Sequence, residues 1–154
     1  MIAMMPEHRR PNEVWEVDFA MLNFADRPLV MLVVDVGTRC PLSATVSLAV
    51  VEDIVAMLER LVRRLGRPQE IWMTYGVSYD SYDGRFLRAW AEQHRISLTR
   101  LPLQTKSVAE RLFCDLNAFL RDKRHSTLMA VGHEIERWRQ SYVATARPFP
   151  TVNQ

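Results

Sequence analysis

At 154 residues and 17.9 kDa the chain has the size of one domain, which excludes most multi-domain machines. With 48% hydrophobic and 25% charged residues it can bury a core and is neither disordered nor fibrous. A net charge of +2 argues against a strongly basic nucleic-acid coat protein, yet the total hides two opposed parts: residues 11–59 hold two basic against eight acidic residues, and residues 60–154 hold 16 basic against nine acidic ones.

Residues 1–12 read as a polar arm punctuated by Pro6 and Pro11, residues 13–148 as one domain, and residues 149–154 as a tail. From Val14 to Ala20, Val14, Glu16 and Asp18 alternate with Trp15, Val17 and Phe19, the pattern of a strand with one apolar face. Leu29 to Val36 is a nearly continuous apolar, β-branched run, which predicts a strand buried on both faces. Cys40 to Ala49 predicts a third strand, with Pro41 placing its start or the whole strand at an edge.

Val51 to Leu65 sets Ile54, Met57, Leu58, Leu61, Val62 and Leu65 on one stripe and stops at Gly66 and Pro68, an amphipathic helix. A strand at Glu70 to Thr74, a polar loop from Tyr75 to Gly84, a helix from Arg85 to His94 and a strand from Ile96 to Leu101 follow. Two helical stretches, about Ser107 to Lys123 and Ala130 to Ala144, complete the chain. This order predicts an α/β fold, a five-stranded mixed sheet with helices on both faces.

A carboxylate in mid-strand, as at Asp18, must face solvent, a partner or a metal; continuation of a polar face begun by Glu16 explains it equally well. Asp35 at a strand end fits a turn or capping role. Lys106, Arg111, Arg121, Lys123 and Arg124 load one helix and its end with positive charge, which suits either DNA phosphates or a solvated face balanced by Asp115 and Asp122. Of the 20 cations 18 are arginine, whose planar fork suits phosphate. The two cysteines, Cys40 and Cys114, lack metal-ligand spacing and form no disulfide framework; Cys114 reads as a small buried residue. No apolar run has the length of a membrane span and the N-terminus lacks a signal-peptide pattern, so a soluble, cytoplasmic protein is expected.

Several segments together resemble the catalytic core of the retroviral-integrase and transposase superfamily, the type with three catalytic acids. PNEVWEVDFAMLN (Pro11 to Asn23) is similar to the family's opening strand, whose "W..D" delivers the first catalytic aspartate at the position of Asp18. LVMLVVDVGTRCPLSATVS (Leu29 to Ser47) is similar to its second and third strands, and KSVAERLFCDLNAFLRD (Lys106 to Asp122) to its "K..VERFFGTLN" helix, with Glu110 at the third acid. Trp138, Tyr142, Arg147 and Pro148 resemble its closing "W...YN..RPH" segment. The motifs lie nearest the bacterial insertion-sequence and Mu-like branches.

The resemblance implies a ribonuclease-H-like fold and DNA cutting and strand transfer, with Asp18 and Glu110 as ligands of Mg²⁺ or Mn²⁺, hard ions that take oxygen donors. It also implies DNA as partner, a homo-oligomer such as a dimer, a mobile-element origin and a place at the bacterial nucleoid. The second acid departs from the pattern: where the family reads T-D-N-G, this chain reads Thr74-Tyr75-Gly76-Val77, with Tyr75 in place of the aspartate. A neutral phenol does not replace a carboxylate for Mg²⁺. Asp80, or Asp83 in the same loop, is the substitute the sequence offers. Two outcomes follow: an impaired enzyme, or a catalytically inactive DNA-binding or oligomerising module. Only 17 residues precede Asp18, so the expectation is of a core without the helix-turn-helix parts that find DNA ends.

Overall fold

The computed structural model describes residues 9–22, 28–46, 51–73, 82–102, 107–121 and 127–145. Along the chain come β1 (Val14–Met21), β2 (Leu29–Asp35), β3 (Cys40–Val46), α1 (Val51–Leu65), β4 (Glu70–Met73), α2 (Tyr82–Gln93), β5 (Ser97–Arg100), α3 (Val108–Leu120) and α4 (Leu128–Thr145). The strands form one sheet in the order β3-β2-β1-β4-β5. β1 pairs antiparallel with β2 and β2 with β3, whereas β1 pairs parallel with β4 and β4 with β5. The sheet is therefore mixed, as expected, and β1 stands at its centre.

Side-chain alternation sorts the core into two halves. On one face Trp15, Val17, Val33, Ile71 and Met73 meet Ile54 and Leu58 of α1 and Leu87 and Trp90 of α2. On the other, Leu22, Val30, Leu32 and Val34 meet Leu112 and Leu116 of α3 and Ile135 and Trp138 of α4. Helices thus cover both faces, which is why β2 is buried from Val30 to Asp35 and reads as an unbroken apolar run. In β1 the same double cover overturns the expectation of one solvated face: Val14 to Val17 are all buried, Glu16 included.

α1 spans the expected residues. Glu52 and Asp53 occupy its first turn and Arg63 and Arg64 its last, matching the sign of the helix dipole at each end. Gly66, with φ +82°, ends it. Asn12, itself at φ 64°, ties that end to the sheet. Its Nδ2 donates to the Leu65 carbonyl at 2.9 Å, its Oδ1 accepts the Trp15 indole N–H at 2.8 Å, and its backbone N–H donates to Asp35 Oδ2 at 2.8 Å. Asp35 Oδ1 accepts from Gly37 N at 2.9 Å, so this carboxylate closes the turn after β2, in the role its position suggested. Burial pushes its pKa up despite these donors.

Glu59 joins α1 to α2. Its Oε1 accepts the Trp90 indole N–H at 3.0 Å and lies 2.8 Å from His94 Nε2, contacts that hold its carboxyl below the usual range. α2 begins at Tyr82, ahead of the expected Arg85, with the buried Gly84 in its first turn. Tyr142 of α4 donates to Asp115 of α3, and its edge meets Trp138, so these two helices are joined by a polar link as well as by the core. Among the described residues no helix is long and apolar enough to cross a membrane.

Candidate functional site

Asp18 lies on β1 opposite Leu32 of β2. The last β1–β4 pair is Val17 with Met73, so β4 ends beside the residue that precedes Asp18. Even-numbered β1 residues face α3 and α4, and Asp18 shares that face with Glu16, two residues away or about 7 Å along the strand. Asp18 is half-buried, and its Oδ1 accepts the Phe19 N–H at 2.8 Å.

α3 carries Glu110. Ser107 caps the helix in an extended conformation (φ −98°, ψ 157°), and its Oγ accepts the Glu110 N–H at 3.1 Å. Ser107 and Glu110 hold the N-cap and N3 positions of an S-x-x-E start signal, so Glu110 has a local reason to be acidic besides any ligand role. Ala109, Leu112, Phe113, Leu116 and Leu120 form the buried stripe of α3. Glu110, Arg111 and Cys114 fall on the opposite side and are exposed. The expectation of a buried Cys114 is thereby corrected; Cys40 is the buried thiol.

The first turn of α3 packs on β1 through Glu16, whose Oε2 accepts the Ala109 N–H at 3.4 Å. The Ser107 hydroxyl and the Val108 N–H lie near enough to favour the charged form of this carboxylate. Glu16 is 0% exposed, and Oε1 has no hydrogen-bond partner among the described residues. Burial pushes its pKa up to about 7 and the charge of Asp18 adds to this, while the three donors oppose it. Alternation along β1 marks Glu16 only as part of a polar face. The signal that could have singled it out is β2, whose apolar run marks an interior sheet region where a neighbouring strand has no solvated side.

The structure thus brings Asp18 and the helical turn carrying Glu110 to the same face of the sheet. Tyr75 and Asp80, the position of the departed acid and its suggested substitute, lie outside the described residues, as do Lys106, Lys123 and Arg124. Among the described residues no group of three or more His, Cys, Asp or Glu could hold a metal ion. Arg111 stands next to Glu110, but Arg121 caps the other end of α3, about 15 Å along the axis at 1.5 Å per residue, so these two arginines do not form one cluster.

No protein-family model and no curated protein sequence matches the chain. Solved structures do. The catalytic core domain of BIV integrase superposes with a TM-score of 0.63 at 15% identity, covering 84% of this chain and 82% of that one. The HTLV-2 integrase catalytic core domain, solved in complex with magnesium in a trimeric form, gives 0.61 at 17% identity over 88% and 87%. The simian T-cell lymphotropic virus intasome, in complex with the PP2A regulatory subunit B56 gamma, gives 0.60 at 22% identity over 86% of this chain and 51% of that one, so the chain spans about half of it. At these identities the likeness is one of fold: a five-stranded mixed sheet with helices, the ribonuclease-H-like α/β arrangement of integrase catalytic cores.

Proposed function

We propose that the protein is an integrase- or transposase-like catalytic core that acts on DNA, with Asp18 and Glu110 as ligands of Mg²⁺ or Mn²⁺ and with activity impaired by Tyr75. The observation that carries this reading is the meeting of β1 and the first turn of α3, the elements bearing the two acids, on one face of a sheet whose fold matches integrase cores. The donor chemistry fits in part: both residues offer carboxylate oxygens, which hard divalent ions prefer, whereas the residue at position 75 offers a neutral phenol. When bound, such ions activate an attacking hydroxyl and stabilise a leaving oxygen at a phosphodiester. Arg111, beside Glu110, suits a phosphate contact in the DNA backbone. Lys106, Arg121, Lys123 and Arg124 extend the basic sequence around it, assignment to a bacterial insertion-sequence or Mu-like branch rests on the sequence motifs alone, and pairing into a homodimer on the family resemblance.

Tyr75 also supports a second reading, a catalytically inactive module that binds DNA or oligomerises. A Mn²⁺-dependent strand-transfer assay separates the two. The impaired-enzyme reading expects weak activity in the native protein, its loss in Asp18→Asn and Asp80→Ala, and a gain of at least ten-fold in Tyr75→Asp. No activity in any of them, with DNA retained at low salt, establishes the inactive module; no DNA retention either overturns both.

A further inference from the structure

We infer that Glu16 is a positioning residue that ties the first turn of α3 to β1 and so sets where Glu110 stands relative to Asp18. The inference rests on the reading of those two acids as metal ligands. Its grounds are geometric. The Glu16 carboxylate accepts the Ala109 N–H, and the other polar groups that act on it, Ser107 and Val108, belong to the same turn, the three residues immediately before Glu110. They lie on average more than 90 positions away in sequence, so the contact serves tertiary placement and not local strand structure.

Ser107 is engaged twice. Its Oγ accepts the N–H of Glu110, and its hydroxyl also favours the charged form of Glu16, so one side chain lies between Glu16 and the backbone of Glu110. The free N–H groups of a helix start need acceptors, and a Glu16 carboxyl oxygen supplies one from the central strand of the sheet. β1 is held on both sides, by β2 through seven residue pairs and by β4 through four. With Glu16 and Asp18 two residues apart on that strand, fixing the first turn of α3 at one constrains where residue 110 stands relative to the other. An apolar side chain would fill the same volume without the unpartnered Oε1 that Glu16 retains among the described residues.

The test uses the whole chain with Mn²⁺ as probe, following free Mn²⁺ by electron paramagnetic resonance and amide hydrogen exchange by residue. Glu16→Ala is expected to weaken Mn²⁺ binding at least ten-fold, the scale of ligand-orienting contacts, and to speed exchange of the Ala109 and Glu110 amides at least ten-fold while α4 and the sheet stay unchanged. Glu16→Gln keeps an acceptor oxygen and is expected to restore both to within about three-fold of the native protein. Native-like Mn²⁺ affinity and exchange in Glu16→Ala overturn the inference, as does exchange that rises throughout the molecule, since Glu16 would then only add to global stability. Should Glu16→Ala fail to fold, Ser107→Ala takes its place: weaker Mn²⁺ binding and faster exchange at residues 109–110 support the inference, and native behaviour overturns it. Native protein that binds no Mn²⁺ overturns the metal reading of Asp18 and Glu110, and the exchange data then decide the placement of α3 alone.

Discussion

The Glu16 carboxylate accepts the backbone N–H of Ala109 across 93 residues of sequence, with both partners buried between β1 and α3. A carboxylate so placed makes stability depend on pH. Its pKa is about 7 in the folded protein against 4.5 for the free group, so the folded state prefers the protonated form. The associated stability is fully present below pH 4.5 and is lost as pH rises through 7, a change of about 3 kcal/mol. Glu16→Gln removes the titration. Urea unfolding in EDTA is expected to find this variant about 2–3 kcal/mol more favourable relative to the native protein at pH 8 than at pH 5; an equal difference at both pH values contradicts the assignment.

Two glycines are expected to respond to alanine in opposite directions. A Cβ at Gly37 would collide with the backbone carbonyl of Arg10, a neighbour that is not the end of a flexible side chain. Gly132 lies inside α4 with nothing within 4 Å of a Cβ. Chemical denaturation should show Gly37→Ala losing about 2 kcal/mol or more and Gly132→Ala gaining about 0.5–1 kcal/mol.

Asn12 combines a left-handed backbone with four hydrogen bonds, and alanine supplies neither the conformational tolerance nor the three that involve the side chain. Asn12→Ala leaves the fully buried Trp15 indole N–H and the last carbonyls of α1 without this partner. A loss of about 2–4 kcal/mol is expected by the same measurement, with a shift in Trp15 fluorescence if the indole N–H is freed.

The thiols provide a check on the orientation of α3. Cys114 is exposed on the side of Glu110, whereas Cys40 is 7% exposed in β3. Ellman's reagent should titrate one thiol rapidly in the native protein and a second only on unfolding, and Cys114→Ser should remove the rapid phase. Two rapid thiols would contradict the packing of β3 under α4.

Much of the fold was legible because its signals are local. The stripe Ile54, Leu58 and Leu61 and the stop at Gly66 delimit α1 without reference to any other element, and the apolar run of β2 announces an interior strand. The start of α2 was less legible, since Gly84 in its first turn and the polar residues before it have weak helix propensity. In the candidate site, Asp18 and Glu110 could be named from motifs, but alternation cannot tell a solvated polar face from one roofed by a helix more than 80 residues further on. That is why Glu16 was legible as polar and not as buried.

The reach of that contact bears on how the protein is made. Until residues 107–109 have left the ribosome, the sheet face carrying Glu16 has neither its roof nor the donors for its carboxylate, and the growing chain presents a charge where the finished molecule has core. The central strand of the sheet is therefore synthesised well before the helix that completes its surroundings, an ordering that favours slow, late closure of this face over stepwise assembly along the chain.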